Sequence, residues 1–248
     1  MTTLRLGTGP KSCLCVHGLG SNSSVFLDSI PEVLFGEWTF YCIDLPGHGK
    51  KPQYDGPDYS IPNLLKWLQS TLPLPHFDAF MGHSLGGLLC MLMQLSTPQF
   101  SRGIILDLFP SARHPKGLKL LAQHFKKHFE AQLKHFYSFS HSQHPKVLQR
   151  ILEDAQKTEP SVFYDVLDSL ADMAENHNRP MIFSIPLTVI HQPGLNIDTN
   201  DKINRTFLLS PDVTFLQVSQ SGHFVMLTQI QEFQEILTES LGSIGYLL

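Results

Sequence analysis

Six short apolar runs recur along the chain: Cys13–His17, Thr39–Ile43, Phe77–Met81, Gly103–Leu108, Leu187–His191 and Val213–Val218. Helix-like stretches separate most of them. That alternation predicts an α/β fold, with a mostly parallel sheet flanked by helices. Several runs are followed at once by glycine or aspartate. Open α/β sheets bind ligands at the carboxyl ends of their strands, so those turns are where function is expected.

Residues 109–185 break the rhythm. They are helix-like, carry few strand signals, and are punctuated by Pro110, Pro115, Pro145, Pro160 and Pro180. The pattern predicts a helical cap inserted into a core formed by residues 1–108 and 186–248, and such insertions commonly act as lids. The first part of the insertion is basic: Arg113, Lys116, Lys119, Lys126, Lys127, Lys134, Lys146 and Arg150 stand against Glu130 alone between Ser111 and Arg150. Either this is a solvated helix face, or it is a docking patch for an anionic partner such as an acidic carrier protein. Phe125, Phe129, Phe136, Tyr137 and Phe139 are read first as cap core and second as a pocket for an acyl chain.

The strongest chemical signal is Gly82-His83-Ser84-Leu85-Gly86-Gly87, which follows the strand-like DAFM and opens an apolar helix that Pro98 closes. A serine on so sharp a strand-to-helix turn is held in strained backbone geometry with its Oγ exposed, and glycines flank it because side chains would collide there. The helix N-terminus adds N–H groups and a positive field where an oxyanion would develop. His17-Gly18-Leu19-Gly20 follows an earlier strand, so the backbone N–H groups of Leu19 and Leu85 are the expected oxyanion hole. Asp44-Leu45-Pro46-Gly47-His48-Gly49 reads as a structural turn, and Asp44 and His48 are given no catalytic part.

HGLGSN, DLPGHGK, GHSLGG and SGHFVMLTQIQEF, in that order, resemble the α/β-hydrolase superfamily over nearly the whole chain outside the insertion. The resemblance implies a Ser-His-acid triad with Ser84 as nucleophile. It implies His223 as base, on the loop after the last strand, where a neutral imidazole can take the serine proton and return it to the leaving group. His191 is read as structural and His83 as shaping the pocket. Most relatives place their acid after the strand here read as Leu187–His191. The usual spacing lands on Leu195, which cannot serve, and Asp198 fits only if the loop is longer. Another subset takes the acid from the strand end after the nucleophile helix, here Asp107. Asp107 is therefore favoured, with Asp198 as the alternative and Asp201 third.

Composition narrows the class. The chain has 248 residues, 42% hydrophobic and 16% charged, with a net charge of −4. That size supports one core with an insertion, and the charge argues against general nucleic-acid binding. No segment approaches the ~18 apolar residues of a membrane span, and the N-terminus does not read as a signal peptide. Cys13, Cys15, Cys42 and Cys90 form no CxxC pair and are expected to be buried reduced thiols in a cytoplasmic protein. With no phosphate-binding, zinc or dinucleotide pattern, neither cofactor nor metal is expected. The chemistry implied is acyl transfer to water, with carboxylic-ester hydrolysis ranked first. Length, HGxGxN segment and basic cap resemble the pimeloyl-acyl-carrier-protein methyl ester esterases. An acyl-CoA or acyl-carrier thioesterase is the alternative, and a catalytically dead hydrolase-fold binding protein is the alternative of another class. A fluorophosphonate would label the enzyme and not the dead fold.

Overall fold

The strands are β1 (Thr3–Leu6), β2 (Lys11–Val16), β3 (Trp38–Ile43), β4 (Ala79–His83), β5 (Gly103–Leu106), β6 (Met181–Ile182), β7 (Leu187–His191), β8 (Leu208–Leu209) and β9 (Val213–Gln217). Seven of them form one sheet in the order β1-β3-β2-β4-β5-β7-β9. Among the described residues, β1 alone runs antiparallel to its neighbour, and the other pairings in this sheet are parallel. The computed structural model describes residues 3–51, 54–108, 115–141, 143–176, 181–193, 208–209 and 212–242. The six expected runs correspond to β2, β3, β4, β5, β7 and β9. Two features go beyond the sequence pattern: the β1 edge strand, and the separate parallel pair of β6 and β8.

Period-two alternation sends each central strand's side chains to two different layers. Cys13, Cys15, Cys42 and Met81 face one layer, which includes a 3₁₀ turn at Ser23–Phe26 and the C-terminal helix. Leu14, Val16, Phe80 and Ile105 face the other, with helices α1 (Ile61–Thr71) and α2 (Leu85–Ser96). In α1, Ile61, Leu64 and Leu68 are spaced three and four apart, so they share one face and are buried. Pro62 sits in its first turn, where an N–H would have no intrahelical partner, and Pro73 follows its end. Each such fully buried leucine contributes about 1.5–3 kcal/mol. All four cysteines are buried and free.

Between β5 and β6 the described residues form the helices α3 (Pro115–Lys127), α4 (Phe129–His141), α5 (Pro145–Lys157) and α6 (Pro160–Asn176). Phe125 of α3 stacks on Phe163 of α6 with ring centroids 4.9 Å apart, and Phe129 meets the same ring edge-on. Among the described residues, the last two helices are α7 (Val225–Thr228) and α8 (Ile230–Leu241). Trp38 Nε1–H donates to the Leu241 carbonyl at 3.2 Å and ties α8 to the sheet. Among the described residues no helix is long and apolar enough to cross a membrane.

Candidate active site

Ser84 follows β4 and caps α2 with φ 48° and ψ −114°. An L-residue adopts such a backbone only where its surroundings enforce it. Here the Ser84 N–H donates to the Leu106 carbonyl of β5 at 3.0 Å, and the Leu88 N–H of α2 donates to the Ser84 carbonyl at 3.0 Å. The turn packs so tightly on β2 that a Cβ on Gly86 would run into the Val16 carbonyl. Sheet and helix together fix the serine at the carboxyl edge, and α2 starts with the N–H of Leu85 beside it.

The loop after β2 lies directly against this turn: a Cβ on Gly18 would stand 3.3 Å from Ser84 Cβ. Two buried imidazoles hold the loop. His17 Nε2 accepts from the Leu45 N–H at 3.0 Å, and because a backbone N–H can only donate, the ring proton sits on Nδ1 and is donated to the Gly18 carbonyl at 2.8 Å. By the same logic His48 Nε2 accepts from the Gly20 N–H at 3.1 Å, and Nδ1–H donates to the Pro46 carbonyl at 2.9 Å. Burial lowers the pKa of both rings, His48 further because His17 stands beside it, so both are neutral. Asp44 is a turn residue: its carboxylate accepts from the Ser23 N–H at 2.7 Å and the Lys50 N–H at 2.9 Å.

His223 and Asp107 meet. Asp107 Oδ2 lies 2.6 Å from His223 Nδ1, and the aspartate is 1% exposed. A buried carboxylate is costly unless several donors face it. Gln192 supplies two more, its backbone N–H at 3.0 Å to Oδ1 and its side-chain amide at 2.8 Å to Oδ2. Asp107 has φ 42°, and its own N–H donates to the Ile190 carbonyl at 2.8 Å, so the strand end is bent to aim the carboxylate. His83 Nε2–H donates to the His223 carbonyl at 3.0 Å, and its ring packs against those of His223 and Phe224. His191 is buried at the end of β7, with Nδ1 2.9 Å from the Gln192 carbonyl, and does not enter this cluster.

Leu195, Asp198, Asp201 and Arg113 lie outside the described residues, as does the side chain of Phe139. Gln192, which orders the carboxylate, carries no usable signal in the sequence, while His48 is legible as a turn residue and Tyr137 as cap core. A flag for His17 and His48 exists in their place beside glycine-rich turns at strand ends. Gln192 has none.

The basic stretch is less uniformly positive in space than along the chain. Lys119 pairs with Asp172 and Glu175 at 3.2 and 3.0 Å, Lys126 with Asp168 at 3.0 Å, and Arg150 with Asp28 at 3.0 Å. Most of these acids come from α6, beyond the stretch that carries the lysines. A serine on a strained turn, an imidazole ordered by a carboxylate, and backbone donors beside the serine are the parts needed for acyl transfer through a covalent intermediate.

A family model described as alpha/beta hydrolase fold matches residues 13–229, a span that contains Leu19, Ser84, Leu85, Asp107 and His223. Over 101 residues the chain is 36% identical to a pimeloyl-[acyl-carrier protein] methyl ester esterase of Aeromonas salmonicida, covering 41% of this chain and 38% of that protein. A protein of the same name from Neisseria meningitidis is 27% identical over 199 residues, covering 73% of this chain and 60% of that one. The chain thus spans less than two thirds of the length of these relatives. An esterase structure from Exiguobacterium antarcticum is similar in fold, with a TM-score of 0.78 at 15% identity over 97% of this chain and 95% of that one. The chain belongs to the α/β-hydrolase fold family.

Proposed function

We propose that this chain is a serine hydrolase that cleaves a carboxylic ester, with Ser84 as nucleophile, His223 as general base and Asp107 as the acid. Residues 1–108 and 186–248 act as the hydrolase core and 109–185 as its cap. The observation that carries the reading is the 2.6 Å contact of Asp107 with His223 Nδ1, on the strand end next to a serine at φ 48°.

In the proposed reaction His223 Nε2 takes the Ser84 hydroxyl proton as Oγ bonds to the ester carbonyl carbon. The carbonyl oxygen becomes an oxyanion facing the N–H groups of Leu19 and Leu85, each worth a few kcal/mol in the transition state. Collapse breaks the bond to the alkoxy oxygen, and His223 returns the proton to it, releasing the alcohol and leaving an acyl-Ser84. Water, deprotonated by His223, then attacks the acyl carbon; collapse breaks its bond to Ser84 Oγ, His223 returns the proton to Oγ, and the acid is freed. Asp107 keeps the Nδ1–H tautomer in place and stabilises the imidazolium, without itself becoming protonated.

The substrate proposed is a pimeloyl methyl ester borne on an acidic acyl carrier protein that docks on the exposed lysines of the cap. The names of the two bacterial relatives support this choice. Four buried free thiols fit a reducing compartment, and cytoplasmic residence is part of the proposal. The test is incubation with the methyl ester of a pimeloyl carrier. Methanol release, with the carrier thioester intact, is the expected result. Release of the free carrier thiol instead would make the chain a thioesterase. No turnover and no fluorophosphonate labelling at Ser84 would leave a binding protein.

A further inference from the structure

On the proposed mechanism Leu19 N–H is an oxyanion donor, and two peptide units set its direction. The first joins the Gly18 carbonyl to the Leu19 N–H, and that carbonyl is held by His17 Nδ1–H at 2.8 Å and by the Ser21 N–H at 3.2 Å. The second joins the Leu19 carbonyl to the Gly20 N–H. Its N–H end is held by His48 at 3.1 Å, and its carbonyl end accepts from Tyr137 Oη at 2.8 Å. His17, Ser21 and His48 all belong to the loops at the sheet's edge. Tyr137 does not: it comes from α4, among the inserted helices.

Tyr137 is well placed to hold a fixed position. It is 2% exposed, and its ring packs edge-on against Phe136 and near Phe224, the neighbour of His223. Burial pushes its phenol above the ordinary range, so at neutral pH the hydroxyl keeps its proton and donates. A second bond joins the same helices to the same loop farther along: Arg150 Nη2–H donates to the Ser24 carbonyl at 3.0 Å, away from the Leu19–Gly20 peptide.

We infer that Tyr137 is a positioning residue, a role that rests on the proposed mechanism. By gripping the Leu19 carbonyl it orients the oxyanion donor, so that transition-state stabilisation depends on how the inserted helices are seated. A peptide unit held only at its N–H end can swing its carbonyl, and the swing rotates the backbone of Leu19. An oxyanion donor must lie within about 2.7–3.1 Å of the charged oxygen, so small rotations matter.

The test is Tyr137→Phe, which keeps the ring and removes only the hydroxyl, with Arg150→Gln as comparison. Turnover of p-nitrophenyl butyrate is measured beside the Ki of a trifluoromethyl ketone, whose serine adduct places an oxyanion in the same hole. The expected result for Tyr137→Phe is a kcat lower by up to about tenfold, with KM within about twofold of wild type and Ki raised by the same factor as kcat/KM falls. Arg150→Gln should leave Ki within about twofold. Unchanged kcat and Ki in Tyr137→Phe, a loss confined to KM, or an equal rise of Ki in Arg150→Gln would each overturn the assignment. The parent mechanism is judged separately on the wild-type chain, by fluorophosphonate labelling that Ser84→Ala abolishes. Absence of that labelling overturns both; labelling with an unaltered Tyr137→Phe overturns this inference alone.

Discussion

The Ser84 hydroxyl adds little packing, yet on the proposed mechanism its oxygen forms the covalent acyl bond through which the whole cycle runs. Ser84→Ala should therefore lower ester hydrolysis by on the order of 10⁴-fold or more, while the melting temperature stays near that of wild type. Retention of more than a few per cent of activity would remove Ser84 from the role. Asp107→Asn probes the ordering of His223. An asparagine there must place its amide N–H₂ either at Oδ2, facing both His223 Nδ1–H and the Gln192 side-chain amide 2.8 Å away, or at Oδ1, facing the Gln192 backbone N–H at 3.0 Å. Either choice sets donor against donor; the first also favours the wrong His223 tautomer, and the second still removes the negative charge that stabilises the imidazolium, so kcat should fall by several orders of magnitude. Asp198→Asn should cost little, and the reverse ranking of the two variants would return Asp107 to a turn residue. Much of this site is legible in the sequence because the pieces depend on local geometry: GHSLGG needs its strand and helix, and HGLG needs only its strand. The acid is harder to read, since strand-end spacing offers Asp107 while loop length offers Asp198. The Gln192 bonds span 85 residues of chain and no local pattern encodes them.

Among the elements, the inserted helices carry the proposed recognition. Their periodicity is strong enough to read from sequence, but the neutralisation of Lys119 and Lys126 is not, because their partners lie on α6, 56 and 42 residues away. β1 escapes the sequence pattern for a related reason. Thr3–Leu6 is a four-residue, partly exposed edge strand that gains its structure by pairing with β3, and short polar edges carry little pattern of their own. The ion pairs decide which charges can test carrier docking. Lys126 bonds Asp168 and stands 4.9 Å over the Tyr164 ring, so reversing it would disturb the packing of α3 on α6. Lys127 and Lys134 are exposed, and among the described residues neither forms an ion pair. The double variant Lys127→Glu, Lys134→Glu should lower kcat/KM for a carrier-borne ester several-fold or more and leave p-nitrophenyl acetate turnover unchanged. Raising salt should mimic it, since exposed charges are screened over a Debye length of about 8 Å at physiological ionic strength. Equal loss on both substrates would point to a damaged cap in place of a lost docking surface.

Across the whole molecule, the imidazoles that hold the loop after β2 also tie folding stability to pH. His17 and His48 each accept a backbone N–H at Nε2, so protonating either ring in the folded chain would set donor against donor in a buried site. Burial has lowered both pKa values below the ordinary 6.5. In the unfolded chain the rings recover that ordinary value. Between the lowered values and about 6.5 the unfolded state binds protons that the folded state does not, so unfolding free energy rises with pH across that window. Acidification from pH 7 should therefore lower the melting temperature before most carboxylates begin to titrate. Asp154 and Asp165 work against this trend, because burial raises their carboxyl pKa values and lets the folded state take up protons first as pH falls. The total slope is thus a mixture, and the informative quantity is a difference. His48→Gln keeps an acceptor for the Gly20 N–H in its side-chain carbonyl and removes one titrating ring. The variant should be less stable than wild type at pH 7.5, where both wild-type rings are neutral and well bonded, yet lose less of its melting temperature on going to about pH 5.5. Parallel melting curves for the two proteins over that interval would mean that His48 is protonated in the folded state as readily as in the unfolded one, and the neutral-imidazole clamp on the loop would have to be given up.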